Sequence, residues 1–251
     1  MRRGRRFATP RPTTSHTTDI AGVMLTRSAH LLLVAILGAA LVTGCGGDDQ
    51  RSNSQVAMDA SVRVEAEGCG SQPVAGGGAF VAAHRVITVA HVVAGATEVE
   101  VVLPDRSEHK ALVVAIDREK DLAVLDVNVD TAPLRRGSMR VGAKGEFITW
   151  RTGLPETRAF TSLAFVDIRA ADIDDTEMVP RRGYEVRAAV EPGDSGSVLV
   201  ADGAAVAVMF ARSTQHPDRG WATDISEADS LIRTEGVTPV DVGSCPTADE
   251  D

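Results

Sequence analysis

Aromatic side chains are scarce in this sequence, with one Tyr, two Trp and six Phe among 251 residues. Hydrophobic content still reaches 43%, with 23 Gly. That balance excludes a disordered or fibrous chain and fits one globular domain with appendages. Long apolar runs are missing too. The run from Leu31 to Val42 falls short of the roughly 20 residues that a membrane-spanning helix needs. There is no internal repeat, no low-complexity block and no alternation of strand and helix patterns, so solenoids and doubly wound parallel sheets are excluded. Positive charge is in deficit: 26 Lys and Arg face 35 Asp and Glu, a formal net charge of −9. Six of the basic residues (Arg2, Arg3, Arg5, Arg6, Arg11 and Arg27) and one acid, Asp19, precede Cys45, so the remainder is more acidic still. Such a surface repels phosphate backbones and anionic lipid headgroups, and nucleic-acid binding is not expected.

The N-terminal stretch reads as targeting sequence rather than fold. Residues 24–45 are MLTRSAHLLLVAILGAALVTGC, a short polar start with Arg27, an apolar core and Val42-Thr43-Gly44-Cys45. This is the layout of a signal peptide, and its ending resembles the lipobox of bacterial lipoproteins, whose cysteine is acylated and becomes residue one. The arginine-rich segment before Met24 fits neither signal nor domain, and Met24 is a candidate true start. The expected organisation is an extension and signal over 1–44, a lipidated Cys45 with a flexible polar tether over 45–60, and one domain over 61–251. The expected location is extracytoplasmic, on a lipid anchor to a bacterial membrane.

Three cysteines are an odd number for an exported chain. With Cys45 lipidated, Cys69 and Cys245 remain as one pair for an oxidising compartment. Their bridge would close a loop of more than 170 residues, which the chain-entropy model values at about 5 kcal/mol before strain.

From about Val62 the pattern is one of short apolar runs between turn signals. AFVAA (79–83) and VITVA (86–90) flank His84-Arg85 as a hairpin. EVEVVL (98–103), ALVVAI (111–116) and LAVLDVNV (122–129) complete a first group of strands. GEFITW (145–150), TRAFTSLAFVDI (157–168), YEVRAAV (184–190), SVLVA (197–201) and AAVAVMFA (204–211) make a second group. SEADSLIRT (226–234) is the one helical pattern, with Ser226 as N-cap. Many short strands in two clusters, split near residues 130–140, predict an all-β sandwich or barrel.

Chemistry is suggested by EPGDSGS (191–197), where Ser195 sits between glycines ahead of an apolar run. Gly, Asp and Ser all suit turns, so the string alone is equally a strand-to-turn junction. A nucleophilic serine also needs an imidazole to take its proton and a carboxylate to hold that imidazole. His91 ends the apolar run VITVAHVV, whereas His84, His109 and His216 lie in polar surroundings. Asp121 opens the strand LAVLDV. Asp126 falls on the opposite strand face by alternation.

Together, TVAHVV, DLAVLDV and EPGDSGS resemble the motifs of trypsin-like serine peptidases of the chymotrypsin clan, in particular the bacterial exported ones. The similarity covers roughly residues 75–225. It implies two six-stranded antiparallel β-barrels with a short C-terminal helix, and hydrolysis of protein or peptide substrates with neither metal nor cofactor. His91 would be the general base, Asp121 its orienting carboxylate and Ser195 the nucleophile, in the order His–Asp–Ser. Gly193 and Ser195 would supply the oxyanion-hole N–H groups. Ala189, Ala211 and Arg212 would border the substrate pocket, and the absence of a carboxylate there implies a neutral, apolar P1 side chain. Val89 in place of Ala, and Ser197 in place of Gly, depart from the family pattern without touching a reacting atom. No cleavable I-V-G-G-like start is present, so Asp194 is expected to find a partner other than a freed N-terminal amine. The stretch after Ser195 is expected to hold no PDZ domain, and the oligomeric state is left open. Two rival readings remain: a catalytically dead peptidase fold used as a binding module, and an unrelated β-sandwich.

Overall fold

The scarcity of aromatics sets how this core is packed. Valine and alanine fill most of it, and Phe80 and Phe147 are the aromatics with side chains fully removed from solvent. β-Branched valines suit the pleated surface, and each buried one contributes on the order of 1.5 kcal/mol or more. The computed structural model describes residues 52–246; the expected signal segment, Cys45 and the first part of the tether lie outside them.

The described chain opens with a helix, not a tether. α1 (Asn53–Ala60) is capped by Ser52, whose side chain accepts from the Gln55 N–H. Ala57 and Ala60 are buried in the core, and Ser54 Oγ donates to Glu146 Oε2 at 2.7 Å. The packed structure therefore starts before the expected boundary at residue 61. Polar residues on the solvent side of α1 had the composition of a linker, and two alanines are too weak a stripe to announce a buried face.

Six strands follow: β1 (Ser61–Glu67), β2 (Val74–Ala82), β3 (Arg85–Thr88), β4 (Glu98–Val102), β5 (Glu108–Asp117) and β6 (Leu122–Val127). They close as an antiparallel barrel in the order β1-β2-β3-β6-β5-β4. A one-turn helix, α2 (Ala90–Val93), interrupts the path from β3 to β4. The turn between β2 and β3 places His84 at φ 59°, a conformation that a tight hairpin demands.

A second sheet is built from β7 (Arg135–Arg136), β8 (Lys144–Thr149), β9 (Glu156–Ala171), β10 (Met178–Arg187), β11 (Val198–Ala201), β12 (Ala204–Arg212) and β13 (Arg219–Asp224), in the order β11-β8-β9-β10-β13-β12-β7. An additional β11–β12 pairing closes a circuit of six strands, and two-residue β7 is attached parallel to β12 as a seventh. Two departures from expectation stand out. β9 and β10 run on into a long hairpin reaching Ala171 and Met178, and β10 ends at Arg187 instead of continuing to 190. The C-terminal helix is a 3₁₀ turn (Ile225–Ala228) leading into α3 (Asp229–Ile232), and its cap is Asp224, which accepts from the Ser226 N–H, not Ser226 itself.

Cys69, just after β1, is bonded to Cys245 with a Cα–Cα distance of 5.6 Å, across 176 positions of sequence. The bridge ties the C-terminal segment to the first barrel. It lies against the chain just after α2: a Cβ on Gly95, at φ +72°, would meet Cys69 Sγ at 2.7 Å and the Cys245 backbone nitrogen at 2.5 Å.

Candidate active site

His91 comes not from a strand end but from the single turn of α2. Val89 is still extended and Ala90 is fully buried, so β3 delivers the chain to the barrel rim and the turn swings the imidazole outward. Its side chain is 30% exposed, whereas that of Asp121 is 3% exposed. Asp121 sits in the β5–β6 turn at φ 55°, a left-handed conformation that Asp tolerates better than most residues.

Both carboxylate oxygens of Asp121 face His91. Oδ1 accepts from the His91 backbone N–H at 2.9 Å, and Oδ2 lies 2.8 Å from Nδ1. An ionised carboxylate only accepts, so this contact places the ring proton on Nδ1 and makes Nε2 the accepting nitrogen of the ring. Asp126, one strand face away, pairs instead with Arg85.

Ser195 lies in the turn between β10 and β11. Gly193 (φ +93°) and Gly196 (φ +85°) give that turn its left-handed corners, and the Asp194 and Ser197 N–H groups close it onto Glu191 O and Asp194 O. The turn is fixed to both sheets. Gly77 N–H donates to Ser195 O at 2.7 Å from β2, and Gly196 N–H donates to Met209 O at 2.8 Å from β12. Sequence reasoning missed the role of Gly76 and Gly77. A Cβ on Gly76 would lie 2.6 Å from Ser195 O, and one on Gly77 would lie 2.6 Å from Ser197 Oγ. The run VAGGGAF carried that signal, because three glycines inside a strand mark a close backbone approach.

Asp194 is wholly buried, and it has a cation. Arg151 holds it with two guanidinium nitrogens, Nε reaching Oδ1 at 2.9 Å and Nη2 reaching Oδ2. Thr149 Oγ1 donates to Oδ1, and the Glu191 N–H donates to Oδ2 at 3.0 Å. Arg151 also donates to Ala189 O at 2.7 Å and pairs with Glu191 at 3.2 Å. The Asp194 carboxylate holds the Arg151 guanidinium above its usual range. The sequence called for a partner here without revealing which residue supplies it.

His91, Asp121 and Ser195 line one cavity of about 610 Å³, together with Ala211, Phe210, Arg181 and the β9–β10 hairpin. A second cavity of about 670 Å³ shares Ala170, Phe210 and Ala211 with it and is also lined by Arg212. Of the expected pocket residues, Ala211 lines both cavities, Arg212 lines the second, and Ala189 lines neither.

This is the fold and loop architecture of a trypsin-like serine peptidase. The family model described as the trypsin-like peptidase domain matches residues 76–208, more than half of the chain, and the chain belongs to that family. Among curated proteins it is 31% identical over 179 residues to the serine protease Rv3671c of Mycobacterium tuberculosis, an alignment covering 68% of this chain and 44% of that protein. It is 35% identical over 116 residues to a probable periplasmic serine endoprotease DegP-like of Hahella chejuensis, covering 45% and 24%. The chain thus spans less than half the length of the curated relatives it matches. Among solved structures, the active form of the M. tuberculosis Rv3671c protease superposes with a TM-score of 0.71 at 26% identity, over 78% of this chain and 89% of that one.

Proposed function

We propose that this chain is an active serine endopeptidase in which His91, Asp121 and Ser195 form the catalytic triad. The observation that carries the reading is the 2.8 Å contact from His91 Nδ1 to a buried Asp121, beside a cavity that Ser195 shares. Ser195 Oγ attacks the scissile carbonyl while His91 Nε2 takes its proton. His91 then returns that proton to the leaving amine, and water resolves the acyl-enzyme by the same route. The N–H groups of Gly193 and Ser195 stabilise the oxyanion, each such donor being worth about 2.7–4 kcal/mol in the transition state. The substrates are proteins or peptides, and Ala211 on the wall of both cavities suits a neutral P1 side chain.

A fluorophosphonate probe tests the assignment. Labelling at Ser195 in the wild-type chain, lost in Ser195→Ala and in His91→Ala, supports it. A folded wild-type chain that takes up no label refutes it, and the dead-enzyme reading would replace it.

The location belongs to the same proposal. Residues 24–44 serve as a lipoprotein signal, and acylated Cys45 anchors the domain outside the cytoplasm. One relative is named as probably periplasmic, in keeping with export. Cys45→Ser should move the protein from the membrane to the soluble fraction, and an unmodified Cys45 by mass spectrometry would sink the anchor.

A further inference from the structure

Arg181, on β10 of the second sheet, is 3% exposed, a rare state for a guanidinium without a task. Its Nη1 lies 3.6 Å from Asp121 Oδ2, the oxygen that holds His91. Nε donates to Glu119 O at 2.9 Å, and Nη2 donates to Ala171 O at 2.8 Å. The Phe210 ring covers one face of the group, with its centroid 4.9 Å from Cζ. A strand of one sheet thus sends a fixed cation to the carboxylate of a turn in the other. Nothing in the hydrolytic scheme requires it.

We propose that Arg181 is a positioning residue that sets the pH range of the site: it fixes Asp121 and opposes protonation of His91, keeping the base competent in more acidic solution. The inference rests on the peptidase reading. In a lone Asp–His pair, the carboxylate strengthens the hold of the imidazole on a second proton. A permanent cation 3.6 Å from the same carboxylate oxygen offsets the effect, because like charges in a buried setting disfavour each other. Guanidinium suits the task, since it stays charged despite burial. Burial works against the charge of Arg181, while Asp121, Asp117 and Asp172 support it. Three of the other charges nearby have partners of their own, Asp172 accepting from Thr176. Lys120 lies 3.9 Å from Asp117 and 3.3 Å from Glu227, and Arg118 is held by Asp174. Asp175 lines the cavity from the β9–β10 hairpin.

The test is the pH profile of kcat/KM on a peptide ester for wild type, Arg181→Met and Arg181→Lys. Removing the cation should raise the midpoint of the acidic limb by about one pH unit, and the lysine variant should restore most of it. A folded Arg181→Met with an unmoved limb would reduce Arg181 to a structural tie between the sheets and overturn the proposal. A second measurement is independent both of turnover and of whether the Arg181 variants fold. In the Ser195→Ala chain, the ring protons of His91 are followed by NMR against pH. A midpoint below the ordinary histidine value of about 6.5, despite the buried Asp121 partner, supports the proposal, and one at or above it overturns the proposal. Absence of wild-type peptidase activity would refute the enzymatic reading alone.

Discussion

At the scale of single residues, two aspartates five positions apart behave as different chemical objects. Asp121 is buried and offers both oxygens to His91; Asp126 is half-buried and pairs with Arg85 on the neighbouring strand β3. Strand alternation separated them in the sequence reading, although Asp121 lies in the turn just before β6, at φ 55°, and only Asp126 is in the strand. Asp121→Asn should lower kcat/KM by about 10⁴-fold, since an amide cannot hold the imidazole in the same tautomer. Asp126→Asn should leave kcat/KM within a few-fold of wild type while costing some stability. Steady-state kinetics and thermal melts of the two variants check both statements, and an inactive Asp126→Asn beside an active Asp121→Asn would reverse the assignment. Arg181 and Arg151 were illegible at this scale. Each works across long sequence distances, 181 to 121 and 151 to 194, and a lone arginine in a β pattern carries no mark of its partner.

Among the elements, the strands were read well where apolar residues alternate or run together, as in EVEVV and LAVLDV. They were misread where local chemistry and long-range packing disagree. The sequence reading began β2 at Ala79, yet the strand begins at Val74 and three glycines lie within it. They are there so that β2 can lie against the nucleophile turn. α2 has only four residues, too few for a helical period to show, so His91 was read as a strand end. The glycine contact makes a sharp prediction. A Cβ at Gly76 would lie 2.6 Å from Ser195 O and 2.8 Å from Val92 Cγ2, and backbone cannot rotate away as a side chain does. Gly76→Ala should therefore displace the nucleophile turn and cut the fluorophosphonate labelling rate at least tenfold, because misplacement of about 1 Å can cost 10²-fold. Gly142→Ala, at φ +85° with no atom within 4 Å, is the control for backbone strain without a close contact. Equal labelling of Gly76→Ala and wild type would show that the close approach is dispensable.

For the whole molecule, the question is what holds the oxyanion turn in shape. A carboxylate as buried as Asp194 must be compensated, and removing one partner of such a pair typically costs about 3–5 kcal/mol. Arg151, just beyond β8, provides the compensation from within the domain, joined by Thr149 at the end of that strand. The two ends of the pair are not equivalent. Asp194→Asn leaves Arg151, 15% exposed, with Ala189 O, Glu191 and water as remaining partners, and the amide oxygen can still accept from Thr149. Arg151→Met strands a carboxylate that has no access to water. Arg151→Met should therefore lose more activity and more stability than Asp194→Asn. The same logic removes any need for a newly cut N-terminal amine. A chain starting at residue 52 with a blocked N-terminus should hydrolyse a peptide ester at the rate of the unblocked chain, and proteolytic nicking should add nothing. The decisive comparison is that rate before and after limited cleavage between residues 60 and 80. If the blocked domain is inert until cut there, the Arg151–Asp194 pair is not what shapes the turn, and activation must proceed through a new terminus instead.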